Sequence, residues 1–78
     1  MAWLEGMARH LASQTGIDEA TLTVSDADAQ LLLDLAGFAA HETGERTNAP
    51  LLCHVLGRAV AAGVPLATLD AAVRGYRP

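Results

Sequence analysis

At 78 residues and a net charge of −4, with 51% hydrophobic and 18% charged residues, the chain has room for one domain, residues 1–78, and a modest core. Cys53 is the only cysteine, which excludes an internal disulfide, and all five cationic residues are arginines with no basic stripe, which argues against nucleic-acid binding, where phosphate contacts dominate affinity. The three aromatic residues, Trp3, Phe38 and Tyr76, leave the apolar content to Leu, Val and Ala, so the chain is either an alanine-rich bundle or one whose apolar surface another chain covers.

The first predicted element is a helix from Ala2 to about Gln14. Trp3, Leu4, Met7, Ala8 and Leu11 recur at steps of three and four, Glu5 and Arg9 stand four apart in the favourable order, and Gly16 serves as the C-terminal cap. From Ile17 to Val24 the pattern breaks. This stretch reads as a loop with one helical turn at Asp18-Glu19-Ala20, its apolar members Ile17, Leu22 and Val24 tucked under the bundle.

Ser25, with Asp26 and Asp28 just after it, opens a second helix that runs to about Thr43 and stops at Gly44. Leu31, Leu32, Leu35, Phe38 and Ala39 form its apolar stripe; Asp26, Gln30, Asp34, Gly37, His41 and Glu45 form the opposing polar one. A third helix, Ala49 to about Ala62, is capped by Thr47 or Asn48 and carries Pro50 in its first turn. Its apolar residues lie on nearly every side, which predicts a central, buried helix touching all the others, with Gly57, Ala59 and Ala61 permitting close approach. After Gly63, Val64 and Pro65, a last helix from Leu66 to Gly75 turns Leu66, Leu69, Val73 and Tyr76 inward, while Asp70 and Arg74 pair outside. The expected architecture is all-α: a compact four-helix domain with short connections and the third helix central.

Few residues point to chemistry. Cys53 lies within an apolar helix, where it acts as a small hydrophobe; the alternative is a Cys–His pair with His41 brought together by the second and third helices. Zinc would need His41, Glu45 and His54 to converge, but no tight ligand pair is present, and none of the glycine-rich phosphate loops or Ser-His-Asp sets occurs. His10 reads as solvated, and Arg74 and Arg77 as charges suited to a helix end. His41 reads first as favourable charge placement at a helix C-terminus, the alternative being a binding position for a partner or ligand. Arg46-Thr47-Asn48 reads as a cap, or as an anion site at a helix N-terminus. His41, Arg46 and Asn48, around one turn, are therefore the candidate ligand- or partner-binding residues. No catalytic residue, metal site or cofactor is expected, and the chain is read as non-enzymatic. An acid at Glu5 in place of a basic leader, and the absence of a long apolar run, place it in the cytoplasm and away from the membrane.

The strings Trp3-Leu4, Leu11 with Thr15-Gly16-Ile17-Asp18, Leu32-Leu33-Asp34-Leu35-Ala36 with Ala40-His41, Arg46 with Ala49-Pro50-Leu51, and Leu56-Gly57 with Ala62-Gly63 succeed one another along the chain. Together they resemble a family of small actinobacterial helical domains without an established activity. Members occur alone or fused to nucleotidyltransferases of the molybdenum-cofactor guanylyltransferase type. The resemblance implies an accessory or interaction module linked to molybdopterin cofactor maturation. The apolar composition and the lack of a catalytic set predict that it acts as a homodimer or other homo-oligomer, or docks on a nucleotidyltransferase partner, through apolar helix surface. Guanylyl transfer would belong to that partner, whose glycine-rich nucleotide motif is not in this chain. The alternative expectation is a domain binding a pterin or nucleotide.

Overall fold

The computed structural model describes residues 2–78, and every regular element among them is a helix: α1 (Ala2–Thr15), α2 (Glu19–Leu22), α3 (Asp26–Thr43), α4 (Asn48–Ala61) and α5 (Leu66–Arg74). The architecture is all-α, with four helices of two turns or more and the single turn α2.

Local chemistry explains most boundaries. Gly16 takes φ 77° and its N–H reaches the Ala12 carbonyl at 2.9 Å, closing α1 in a left-handed conformation that only glycine adopts readily. Asp18 caps α2 by accepting the Ala20 N–H at 3.1 Å, and Ser25 caps α3 by accepting the Asp28 N–H at 3.1 Å. Gly44, at φ 70°, ends α3 as Gly16 ends α1, donating to the Ala40 carbonyl. At the far end, the Arg77 guanidinium donates to the Arg74 carbonyl, an acceptor that the end of α5 leaves open, and to the Tyr76 carbonyl in the tail.

The core is small and lies in α3, α4 and α5. Leu35, Leu56 and Leu66 are buried against one another, with Leu31, Leu32, Leu52, Leu69 and Val73 packed around them. The broadest helix contact is α3 on α4, a hairpin closed by the short loop Gly44–Thr47; α5 folds back on both. Of the expected α3 stripe, Leu35 and Ala39 are buried and Leu31, Leu32 and Phe38 half-buried, while Gln30 bonds Asp34 at 3.0 Å on the polar side.

Helix α1 stands apart. Among the described residues its backbone approaches only α2, and the molecule is long, 40 × 24 × 20 Å. Extended backbone at Asp18, Thr23 and Ser25 carries the chain onward between α1 and α3, so α1 is not folded back onto the core. Two expectations change accordingly. Helix α4 is not in contact with every other helix, because it does not reach α1, and it is not buried on nearly every side: Leu56 is its one buried residue, while Leu51, Val55 and Val60 face solvent. Ile17 and Val24 are likewise exposed, and only Leu22 is half-buried. Gly57 has open space where a side chain would stand, so no close helix approach depends on it.

Candidate functional site

An open groove of 510 Å³ lies where the end of α3, the start of α4 and the tail after α5 meet. Phe38, Ala39, Glu42 and Thr43 of α3, Asn48, Leu51, Leu52 and Val55 of α4, and Val73 and Tyr76 line it. Helix α5, nine residues long, ends at Arg74, and the tail beyond it contributes Tyr76 to the groove. Leu51 and Val55, one turn apart, remain 63% and 59% exposed. Tyr76, expected on the inner face of the last helix, falls beyond its end and is 71% exposed. The expected helical register of Leu66, Leu69, Val73 and Tyr76 is not continued past Arg74, where the helix stops.

Thr43 organises the polar end. Its hydroxyl donates to the Ala39 carbonyl at 2.7 Å, accepts the Glu45 N–H at 3.2 Å and accepts the Asn48 side-chain amide at 3.0 Å. With its one proton directed to Ala39, the hydroxyl can only accept from Asn48, which fixes the amide nitrogen toward Thr43. Asn48 is therefore a clasp across the α3–α4 turn and not the cap of α4. Thr47 holds the cap position in helical conformation (φ −63°, ψ −22°) and makes no side-chain cap bond.

The alternative reading beside Arg46, an anion site at the helix N-terminus, finds few free donors. The Asn48 and Ala49 N–H groups are already bonded to the Glu45 and Arg46 carbonyls at 3.1 Å each, and Pro50 has none to offer. Of the three candidate residues, Asn48 lines the groove, whereas His41 and Arg46 are exposed and lie outside it.

Cys53 is half-buried in the α3–α4 seam, its Sγ 3.9 Å from the Leu32 carbonyl. His41 is nine residues beyond Leu32, about 13 Å farther along the α3 axis, so the two do not form a nucleophile–base pair. Among the described residues no group of three or more His, Cys, Asp or Glu side chains converges to hold a metal ion, and His41, Glu45 and His54 do not form one.

A smaller cleft of 220 Å³ lies at the opposite end of α3, between α1, α2 and the first turn of α3, with Leu4, Ala8, Leu22 and Ala29 among its lining residues. Next to it α1 leaves Trp3 74% exposed, with Leu4 and Leu11 also facing solvent.

Residue-by-residue reasoning misses the groove, although one signal points to it. A helix apolar on all sides requires neighbours on all sides, and a chain of this length has too few elements to provide them. No helix among the described residues is long and apolar enough to cross a membrane. Compared with protein-family models, curated proteins and solved structures, the chain matches none.

Proposed function

We propose that this chain is a non-enzymatic interaction module that binds another protein through apolar helix surface. The groove carries this reading: Leu51, Val55 and Tyr76 face water around a concave surface, an arrangement suited to receiving an apolar helix face. The absence of convergent nucleophile, base and oxyanion donors along the groove favours binding over catalysis. The resemblance to helical domains found beside molybdenum-cofactor guanylyltransferases extends the proposal to an accessory role in molybdopterin cofactor maturation, in the cytoplasm. The test measures solution mass at low and high protein concentration and, separately, binding to a guanylyltransferase encoded in the same genome. Self-association or binding supports the reading; a strict monomer with no affinity for that enzyme overturns it.

The groove volume favours a second reading, because small-ligand sites fall in the range of about 300–1,000 Å³. The polar complement is thin for a pterin or nucleotide: the Asn48 amide is engaged with Thr43, and Glu42 would repel phosphate. Titration with a pterin or a guanine nucleotide to millimolar concentration, monitored by amide shifts, tests it. Shifts at Asn48, Leu51 and Val55 would establish the site, and none there would remove it.

A further inference from the structure

Two apolar surfaces lie uncovered at opposite ends of α3. One is α1, with Trp3, Leu4 and Leu11 exposed beside the first turn of α3; the other is the groove at its last turns. The 18 residues of α3 make a helix about 27 Å long, so the two surfaces belong to separate ends of a 40 Å molecule.

The total surface says how much is uncovered. A folded monomer of 8.1 kDa is expected to expose about 4,500 Å², whereas this chain exposes 5772 Å². Its radius of gyration, 13.5 Å, likewise exceeds the roughly 11.5 Å expected of a compact chain of this length. The excess is about 1,300 Å² per chain, more than the ~800 Å² per partner of a standard interface, and doubled it falls in the range of permanent homodimers.

We infer that the occupant of the groove is α1 of a second copy of this chain, in a reciprocal two-fold dimer. A two-fold axis perpendicular to α3 lays the copies antiparallel, so that the α1 end of each meets the groove end of the other, and both apolar surfaces are covered twice over by one operation. A closed pair leaves no unused copy of either surface, which accounts for complementary faces on one chain without fibre growth. The side chains brought together are apolar on both sides, Trp3, Leu4 and Leu11 against Leu51, Val55 and Phe38, while the charged residues nearby are Glu42 at the groove and Glu5 and Arg9 on α1. Trp3, at the exposed start of α1, is the anchor, in keeping with the place of tryptophan among residues that dominate binding.

This inference rests on the interaction-module reading and names its partner. The test uses the full chain. Sedimentation equilibrium on the parent should give a dimer that dissociates on dilution, and emission from Trp3, the sole tryptophan, should move to longer wavelength in step with dissociation. Trp3→Asp and Val55→Asp should each weaken self-association on the order of 30-fold or more. Both positions are exposed and outside the Leu35–Leu56–Leu66 cluster, and circular dichroism checks that the variants stay folded; Leu51→Asp replaces Val55→Asp if that variant does not. Mixing the two variants decides the arrangement. A mixed dimer keeps one intact α1 in one intact groove and puts both substitutions into the other contact, where their costs overlap instead of adding, so the mixture should associate more tightly than either variant alone. A parent that stays monomeric overturns the inference, and if it still binds the guanylyltransferase the broader reading stands. A parent dimer whose variants fail to complement each other also overturns it, because the copies then meet through like surfaces.

Discussion

Leu35 and Leu11 each belong to the apolar stripe of a long helix, yet the first is completely buried and the second faces solvent. The difference lies in the path the chain takes on leaving each helix. After α3 the chain reverses within Gly44–Thr47, and α4 returns along the same face, covering the stripe. After α1 it passes through a single helical turn flanked by extended residues and never returns, so the α1 stripe has no partner in the chain except α2. Periodicity states that a face is apolar. What covers that face is decided by the connections, by the next element's length and, on our inference, by a second copy.

The largest effect expected from breaking this comparison is a matched pair of truncations. Leu35→Ala removes a side chain enclosed by Leu56, Leu66 and their neighbours and should cost about 3 kcal/mol, lowering the melting temperature by more than about 10 °C. Leu11→Ala, measured at a protein concentration low enough to keep the chain monomeric, should cost less than about 1 kcal/mol, because exposed methyl groups gain little from folding. Equal losses in thermal melts would show that α1 belongs to the same core.

Hydrogen exchange sharpens the same contrast without a substitution. At low concentration the amides of α1 and α2 should exchange well before those of α3 and α4, because their opening exposes little apolar surface and leaves the Leu35 cluster intact. If all four helices exchange together, the molecule opens as one cooperative unit and the division fails.

Much of the fold is legible because the helix ends are written in local chemistry. Ser25, Gly16 and Gly44 act within a few residues of themselves, and the structure keeps each in the role its residue type implies. The core leucines of α3 are legible for a related reason, since one dense stripe facing a short loop leaves a single direction for the next helix. The groove is not legible. Leu51, Val55 and Tyr76 form a surface where α5 ends at Arg74, and nothing in the spacing of α4 distinguishes a buried side from an uncovered one. Asn48 looks like a cap because asparagine commonly caps helices. The competing partner, Thr43, is five residues earlier in the preceding helix and meets Asn48 only once the turn has formed.

That clasp gives an effect of intermediate size. Asn48→Ala should cost about 1 kcal/mol, in the range of a single hydrogen bond, Thr43→Val should cost more because its hydroxyl also bonds Ala39 and Glu45, and together they should cost less than the sum because both remove the Thr43–Asn48 bond. Thr47→Ala, at a cap position without a cap bond, should change stability by only a few tenths of a kcal/mol. Additive losses at Thr43 and Asn48 in denaturant titrations would mean that the two side chains act independently.

The smallest effect expected separates two roles of Arg74. Its guanidinium pairs with Asp70 at 2.9 Å, one turn earlier on α5, and also lies over the Phe38 ring, 5.3 Å from its centre, joining α5 to α3. The ion pair is partly exposed, and surface pairs at this spacing contribute about 0.3–0.5 kcal/mol. The ring contact contributes about 0.5–1 kcal/mol at a site like this, and the aliphatic stem adds apolar packing. Asp70→Asn should therefore cost under about 0.5 kcal/mol and lose that small effect in high salt, while Arg74→Ala should cost more and retain most of its effect there, since packing over Phe38 is not screened as the ion pair is. If the two substitutions prove equal in size and equally salt-sensitive, Arg74 serves α5 alone, and the attachment of α5 to the body rests on Leu66, Leu69 and Val73 without it.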